Sequence, residues 1–75
     1  MSDEAEDQWF QPSVESGNVA GARIEGDDLL VRFHSGAVYR YPGEAGSMGR
    51  LLGSESPGSF VWRHLRGKKS ERVGR

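Results

Sequence analysis

Apolar positions along the chain fall into short runs whose period changes part-way. From Asn18 to Ile24 they alternate loosely, with Ala20, Ala22 and Ile24 on one face of an extended segment and Val19, Gly21 and Arg23 on the other. Glu25-Gly26-Asp27-Asp28 breaks this run as a turn. Leu29 to Phe33 then alternates, placing Leu29, Val31 and Phe33 towards a core and Leu30 and Arg32 away from it. His34-Ser35-Gly36 predicts a tight turn with Gly36 at positive φ. Ala37 to Tyr41 follows, with Tyr39 and Tyr41 on one face and Val38 and Arg40 on the other. Short links between successive strands favour an antiparallel meander.

Beyond Pro42-Gly43 the period lengthens. Ala45, Met48, Leu51 and Leu52 stand at helical spacing over Glu44 to Leu52, with Gly53 as a stop. Gly46 and Gly49 each cost about 1 kcal/mol relative to Ala, so this helix depends on packing. A second helix is better marked: Ser56 is placed to cap it, Pro57 suits its first position and Gly67 the position just past its end. Phe60, Val61, His64 and Leu65 share one face of it, and Trp62, Arg63 and Arg66 the other. The pattern predicts an α+β domain: a three-stranded antiparallel β-meander followed by two short helices packed on one face.

Residues 1–11 read as a disordered acidic tail, 12–67 as the domain and 68–75 as a frayed basic tail. Within the first of these, Trp9-Phe10 just before Pro12 has two readings, a pair docked on the domain or a peptide-like binding epitope.

Composition narrows the functional classes. A chain of 75 residues with mean hydropathy −0.67 and 35% hydrophobic residues makes one small domain. At that size roughly 60% of the unfolded surface is buried, which argues against a large enzyme with a deep pocket. The absence of Cys removes disulfides, Cys-based zinc sites and thiol nucleophiles. The longest apolar run is Leu29-Leu30-Val31, so no membrane span or membrane partner is expected. The acidic start does not read as a signal peptide, and the expected compartment is the cytoplasm.

Net charge is −1, but it is unevenly distributed. Residues 1–15 carry five acids and no base, while residues 60–75 carry six bases against one acid. Such asymmetry marks an interaction end or simply solvated termini.

Several short motifs then stand in a recognisable order: Ser16-Gly17-Asn18, Phe33-His34-Ser35-Gly36, Tyr39-Arg40-Tyr41, Ser56-Pro57-Gly58-Ser59-Phe60 and Arg63-His64-Leu65-Arg66. Together they resemble the KTSC domain, found at the C-terminus of some lysyl-tRNA synthetases and as stand-alone small proteins. The resemblance covers about Val14 to Arg66 and implies, through the synthetase branch, RNA binding. Two departures stand out. Trp62 occupies a position where the family tends to carry Asn, and Pro42-Gly43 shortens the family's Val-Pro approach to the preceding helix.

The chemistry-bearing residues divide into two groups. Tyr39 and Tyr41 stand side by side on one strand face and suit either base stacking or core packing with hydroxyls at the rim. Arg40 falls on the opposite face unless the strand bulges. Trp62 with Arg63, Arg66, Lys68, Lys69 and Arg72 forms a basic patch around an aromatic ring, suited to phosphate contact and stacking. The same patch also reads as a solvated helix end or an internal cation–π pair. His34 and His64 lack companions at metal-ligand spacing. Ser35 and Ser56 read as turn and cap residues, and the adjacent carboxylates Asp27-Asp28 need not converge. No catalytic residue, metal or cofactor is implied. The expectation is a small non-catalytic module, monomer or weak homodimer, that binds RNA or other single-stranded nucleic acid through Tyr39, Arg40, Tyr41, Trp62, Arg63, Arg66, Lys68 and Lys69. The alternative is a protein–protein adaptor docking through its sheet edge or the Trp9-Phe10 segment.

Overall fold

Glycine-bearing turns set the register of the sheet. The structure, a computed structural model, describes residues 9–74. Strands β1 (Val19–Glu25) and β2 (Asp28–Phe33) pair antiparallel across a two-residue turn, with Glu25 opposite Asp28. Strand β3 (Val38–Tyr41) pairs antiparallel with β2, Val31 opposite Tyr39 and Leu29 opposite Tyr41. The turn between them holds Gly36 at φ 99°, as expected, and Gly43 follows β3 at φ 76°. A side chain is strained at either value.

A 3-10 turn (Ala45–Ser47) leads directly into helix α1 (Met48–Leu52). Helix α2 (Pro57–Phe60) continues into a π-helical segment, Val61–Leu65, and the chain returns as strand β4 (Glu71–Gly74) beside β3. The order in the sheet is β1-β2-β3-β4, every pair antiparallel. The α+β class stands, but the sheet has four strands rather than three. Residues 71–74 are not a frayed tail. Glu-Arg-Val-Gly shows no apolar alternation because β4 is an edge strand recruited by the unpaired backbone groups of β3 rather than by a buried face.

A bulge corrects the reading of β1. Val19 pairs with Phe33 and Gly21 with Arg32, so Ala20 is an extra residue that reverses the alternation. Val19 and Ala22 therefore share the core face, at 1% and 0% exposure, and Ile24 is exposed near the strand end. The core lies on this face: Val19, Ala22, Leu29, Val31 and Tyr41 from the sheet meet Leu51, Phe60 and Leu65 from the helical layer. Full burial of each Leu contributes roughly 1.5–3 kcal/mol.

The edge of β1 and the opposite face of the sheet are engaged by the N-terminal segment. Phe10 forms a two-hydrogen-bond bridge to Ala22, N–H to O at 2.9 Å in both directions. The Trp9 ring lies against the guanidinium groups of Arg23 and Arg32, 5.5 and 4.9 Å from its centroid. Leu30, on this outer face, is only 5% exposed. Trp9 and Phe10 thus belong to the domain rather than to a tail. The expected disorder of residues 1–8 falls outside the described residues.

The second helix differs from its prediction in two respects. The Ser56 hydroxyl makes no capping bond to the helix; it donates to the Ser59 hydroxyl at 3.0 Å. Its carbonyl instead accepts the Phe60 N–H. From Val61 onward the hydrogen bonds widen, Arg66 N–H reaching Val61 O. The changed pitch leaves His64 exposed, against the α-helical projection, although its ring still packs on Phe60 at 4.6 Å.

Candidate functional site

Strand alternation sends Tyr39 and Tyr41 to the helical side of the sheet, and they reach different depths. Tyr41 is 5% exposed and belongs to the core, where burial first, and Tyr39 second, push its hydroxyl above the ordinary tyrosine value. Tyr39 is half-buried and meets Phe33 edge-on, the ring centroids 6.0 Å apart at 79°. Core packing thus holds for Tyr41, while Tyr39 keeps part of its ring accessible.

Above Tyr39 a cleft of about 710 Å³ opens between the sheet and the π-helical segment. Val61, Trp62 and Arg66 line it from the helical side, Phe33, Tyr39 and Arg72 from the sheet, and Asn18 and His34 also border it. Arg66, four residues after Trp62 and so on its side of the helix, lies over the Trp62 ring, its guanidinium carbon 3.8 Å from the centroid. Trp62 remains 61% exposed, so the pair forms a ledge at the mouth of the cleft. A guanidinium stacked by its face keeps its in-plane N–H donors available.

The structure brings together Tyr39, Tyr41, Trp62 and Arg66, and separates the other four expected residues from them. Arg40 opposes Leu30 in the β2–β3 register and points away from the tyrosines. Its Nη1 bonds Asp28 Oδ2 at 2.9 Å and its Nη2 bonds Glu25 Oε1 at 2.7 Å. Those carboxylates raise the Arg40 pKa, Asp28 contributing more than Glu25. Arg40 is committed to the fold and does not share the cleft.

Arg63 lines a second, smaller cavity of about 360 Å³ with His64, Ser56 and Ser59. Lys68 reaches Glu44, Nζ to Oε2 at 3.2 Å. The Ser47 hydroxyl, 2.9 Å away, and then Lys68 hold the Glu44 carboxyl below its usual range. Lys69 is exposed and outside the cleft lining.

The cleft also contains residues the sequence reading did not assign to a site. By sequence Phe33 and His34 are strand end and turn, and Asn18 is the start of the first extended segment and part of a motif. The Asn18 carbonyl accepts the His34 N–H at 2.9 Å, which ties the start of β1 to the β2–β3 turn and sets both beside the cleft. Arg72, part of the basic patch expected around Trp62, reaches the cleft through β4, opposite Tyr39 in the register. Among the described residues no group of three or more His, Asp or Glu is placed to hold a metal, and no helix is long and apolar enough to cross a membrane. In comparisons with known proteins, no family model matches the chain and no curated protein matches it.

Proposed function

We propose that this chain is a small, non-catalytic binding module for single-stranded nucleic acid, RNA foremost, with the cleft over Tyr39 as its site. One observation carries the reading: exposed and half-buried aromatic rings, Trp62 and Tyr39, line a single open cleft with Arg66 and Arg72. An unpaired base needs a flat apolar ring, and the phosphate beside it needs a cation with free donors. Arg66, stacked on Trp62, offers both in one ledge. The cleft volume is on the scale of small-ligand sites, about 300–1,000 Å³, and suits a splayed nucleotide rather than a duplex. The motif resemblance to the KTSC domain leads to the same reading, and a cytoplasmic setting goes with it.

The test is a fluorescence titration with short single-stranded RNA. With about two to four phosphates engaged, log affinity should fall against log salt with a slope of roughly −1.4 to −2.8. No measurable binding at about 50 mM salt, or a salt-independent affinity, overturns the proposal.

A second reading keeps one specific support. Strand β4 is an edge strand and Val73 on it is 43% exposed, which suits strand addition by a protein partner or a second copy. The Trp9-Phe10 segment does not serve this reading as a free epitope, because it is docked on β1. Copurification of one protein after nuclease treatment, abolished by a Pro in β4, would favour it over the first.

A further inference from the structure

We propose that a strand seated in the cleft continues around the π-helical segment into the second cavity, where His64 and Arg63 hold a further nucleotide. The inference rests on the nucleic-acid reading above. One helical segment borders both cavities: Trp62 and Arg66 line the cleft, and Arg63 and His64 line the cavity of about 360 Å³. From Trp62 to Arg66 only Leu65 is buried; Trp62, Arg63, His64 and Arg66 are all exposed. Rings and cations therefore cover the surface of the turn that joins the two cavities.

The cations here are not tied to carboxylates. Arg23 pairs with Glu25, Arg40 with Glu25 and Asp28, and Lys68 with Glu44. Among the described residues Arg50, Arg63 and Arg66 form no ion pair. Arg66 lies over Trp62, and Arg50 over Phe60 with its guanidinium carbon 5.7 Å from the ring centroid. His64 packs on that same Phe60 ring, the centroids 4.6 Å apart and the planes inclined by 37°. Phe60 is buried and backs the imidazole, while His64 itself is exposed. Ser54 Oγ, on the cavity lining, accepts the Ser56 N–H at 3.0 Å and keeps its own O–H to donate. Glu55 is the one carboxylate on that lining.

Proteins that hold single strands combine cations that track the phosphates with flat side chains on which successive bases stack. Histidine rings and guanidinium planes both serve for stacking. Trp62 with Arg66 is one such unit, and His64 with Arg63 repeats it two residues on in the sequence. Neither unit selects a base, because every base has a π-face. The second unit therefore lengthens the bound strand and adds affinity without adding sequence preference. Glu55 works against a phosphate at this place, so its charge lowers the affinity there.

The experiment is an NMR titration of the full chain with oligouridylates of about four and about twelve nucleotides, within the site sizes of small single-strand binders. The short strand should shift the resonances of Tyr39 and Trp62. The long strand should also shift those of Arg63 and His64, and its salt slope should be steeper by roughly 0.7 to 1.4, for one or two further phosphates. A longer homopolymer offers more registers, which raises affinity in wild type and variants alike, so the variants carry the test. Arg63→Gln and His64→Ala should each weaken the long strand by about fivefold or more and leave the short strand within about twofold. Glu55→Gln should strengthen the long strand alone. Arg63→Gln keeps the test open if His64→Ala, which removes the ring on Phe60, fails to fold. Unshifted Arg63 and His64 resonances with the long strand, or variants that weaken both strands equally or neither, overturn the second subsite and leave the cleft reading intact. Absence of binding by both strands overturns both proposals.

Discussion

Arg40 closes on Asp28 across the β2–β3 pair, Nη1 to Oδ2 at 2.9 Å, while the other oxygen of the same carboxylate accepts the Gly43 N–H at 3.1 Å. One carboxylate thus pins the middle of β3 and the turn that ends it. The Gly43 N–H first, and Arg40 second, hold the Asp28 carboxyl below its ordinary range.

The sign of the pH dependence follows. A carboxyl with a lowered folded pKa contributes stability that is complete above its unfolded pKa and is lost as pH falls through the folded one. Asp28→Asn should therefore melt below the wild type at neutral pH, and the two melting temperatures should converge as pH drops below about 4. Glu44, shifted in the same direction, is present in both proteins and cancels from the comparison. A gap that stays constant from neutral to acid pH would contradict this assignment.

Leu51 is fully buried where α1 meets the sheet. Leu51→Ala should cost about 2–5 kcal/mol. A domain of this length has a total stability of only about 4–11 kcal/mol. The urea midpoint should accordingly fall by roughly a fifth of its value or more, or the variant should be largely unfolded at 37 °C.

Gly21 sits beneath the N-terminal segment. A Cβ there would lie 3.1 Å from the Phe10 carbonyl oxygen and 3.2 Å from Trp9 Cβ. Gly21→Val should lift Trp9 and Phe10 off the sheet, losing two hydrogen bonds and about 1–3 kcal/mol. In a Trp62→Phe background, Trp9 emission should move to the red while the far-ultraviolet circular dichroism is retained. Unchanged emission would mean the segment tolerates the methyl groups in place.

Trp62, largely exposed, separates binding from folding. Trp62→Ala should change stability by no more than about 0.5 kcal/mol. Its RNA affinity should drop by about 1–3 kcal/mol, or roughly 5- to 150-fold, if a base stacks on this ring. Equal losses of stability and affinity would reassign Trp62 to the fold.

Much of this architecture is legible in the sequence wherever a buried face imposes a period. Leu29 and Val31 lie in the core on the face their alternation predicts, and Gly36 takes its positive φ. The reading fails where backbone hydrogen bonding decides instead. One extra residue at Ala20 moves Val19 to the core face, and nothing in the composition of Val-Ala-Gly-Ala announces it. Strand β4 forms from Glu71-Arg72-Val73-Gly74, a segment with no buried face, because β3 has an edge to satisfy. The site inherits this division. Trp62, Arg66 and Arg72 are legible as cations beside an aromatic ring, whereas the place of Arg72 opposite Tyr39 depends on a strand that has no side-chain signature. Arg40 shows the converse: alternation alone places it on the face opposite the two tyrosines, and with no bulge in β2–β3 it stands there among carboxylates, outside the shared site its motif suggests.

Strand β4 carries a kinetic consequence. The strands β1 to β3 are joined by links of a few residues, but β4 pairs with β3 only after residues 42–70 have been folded between them. Closing that long connection costs entropy that the short hairpins avoid. The hairpins therefore assemble first and β4 docks last, so its amides should show the weakest hydrogen-exchange protection in the sheet. Because Arg72 travels with β4, one wall of the cleft is the last part of the domain to form and the first to open.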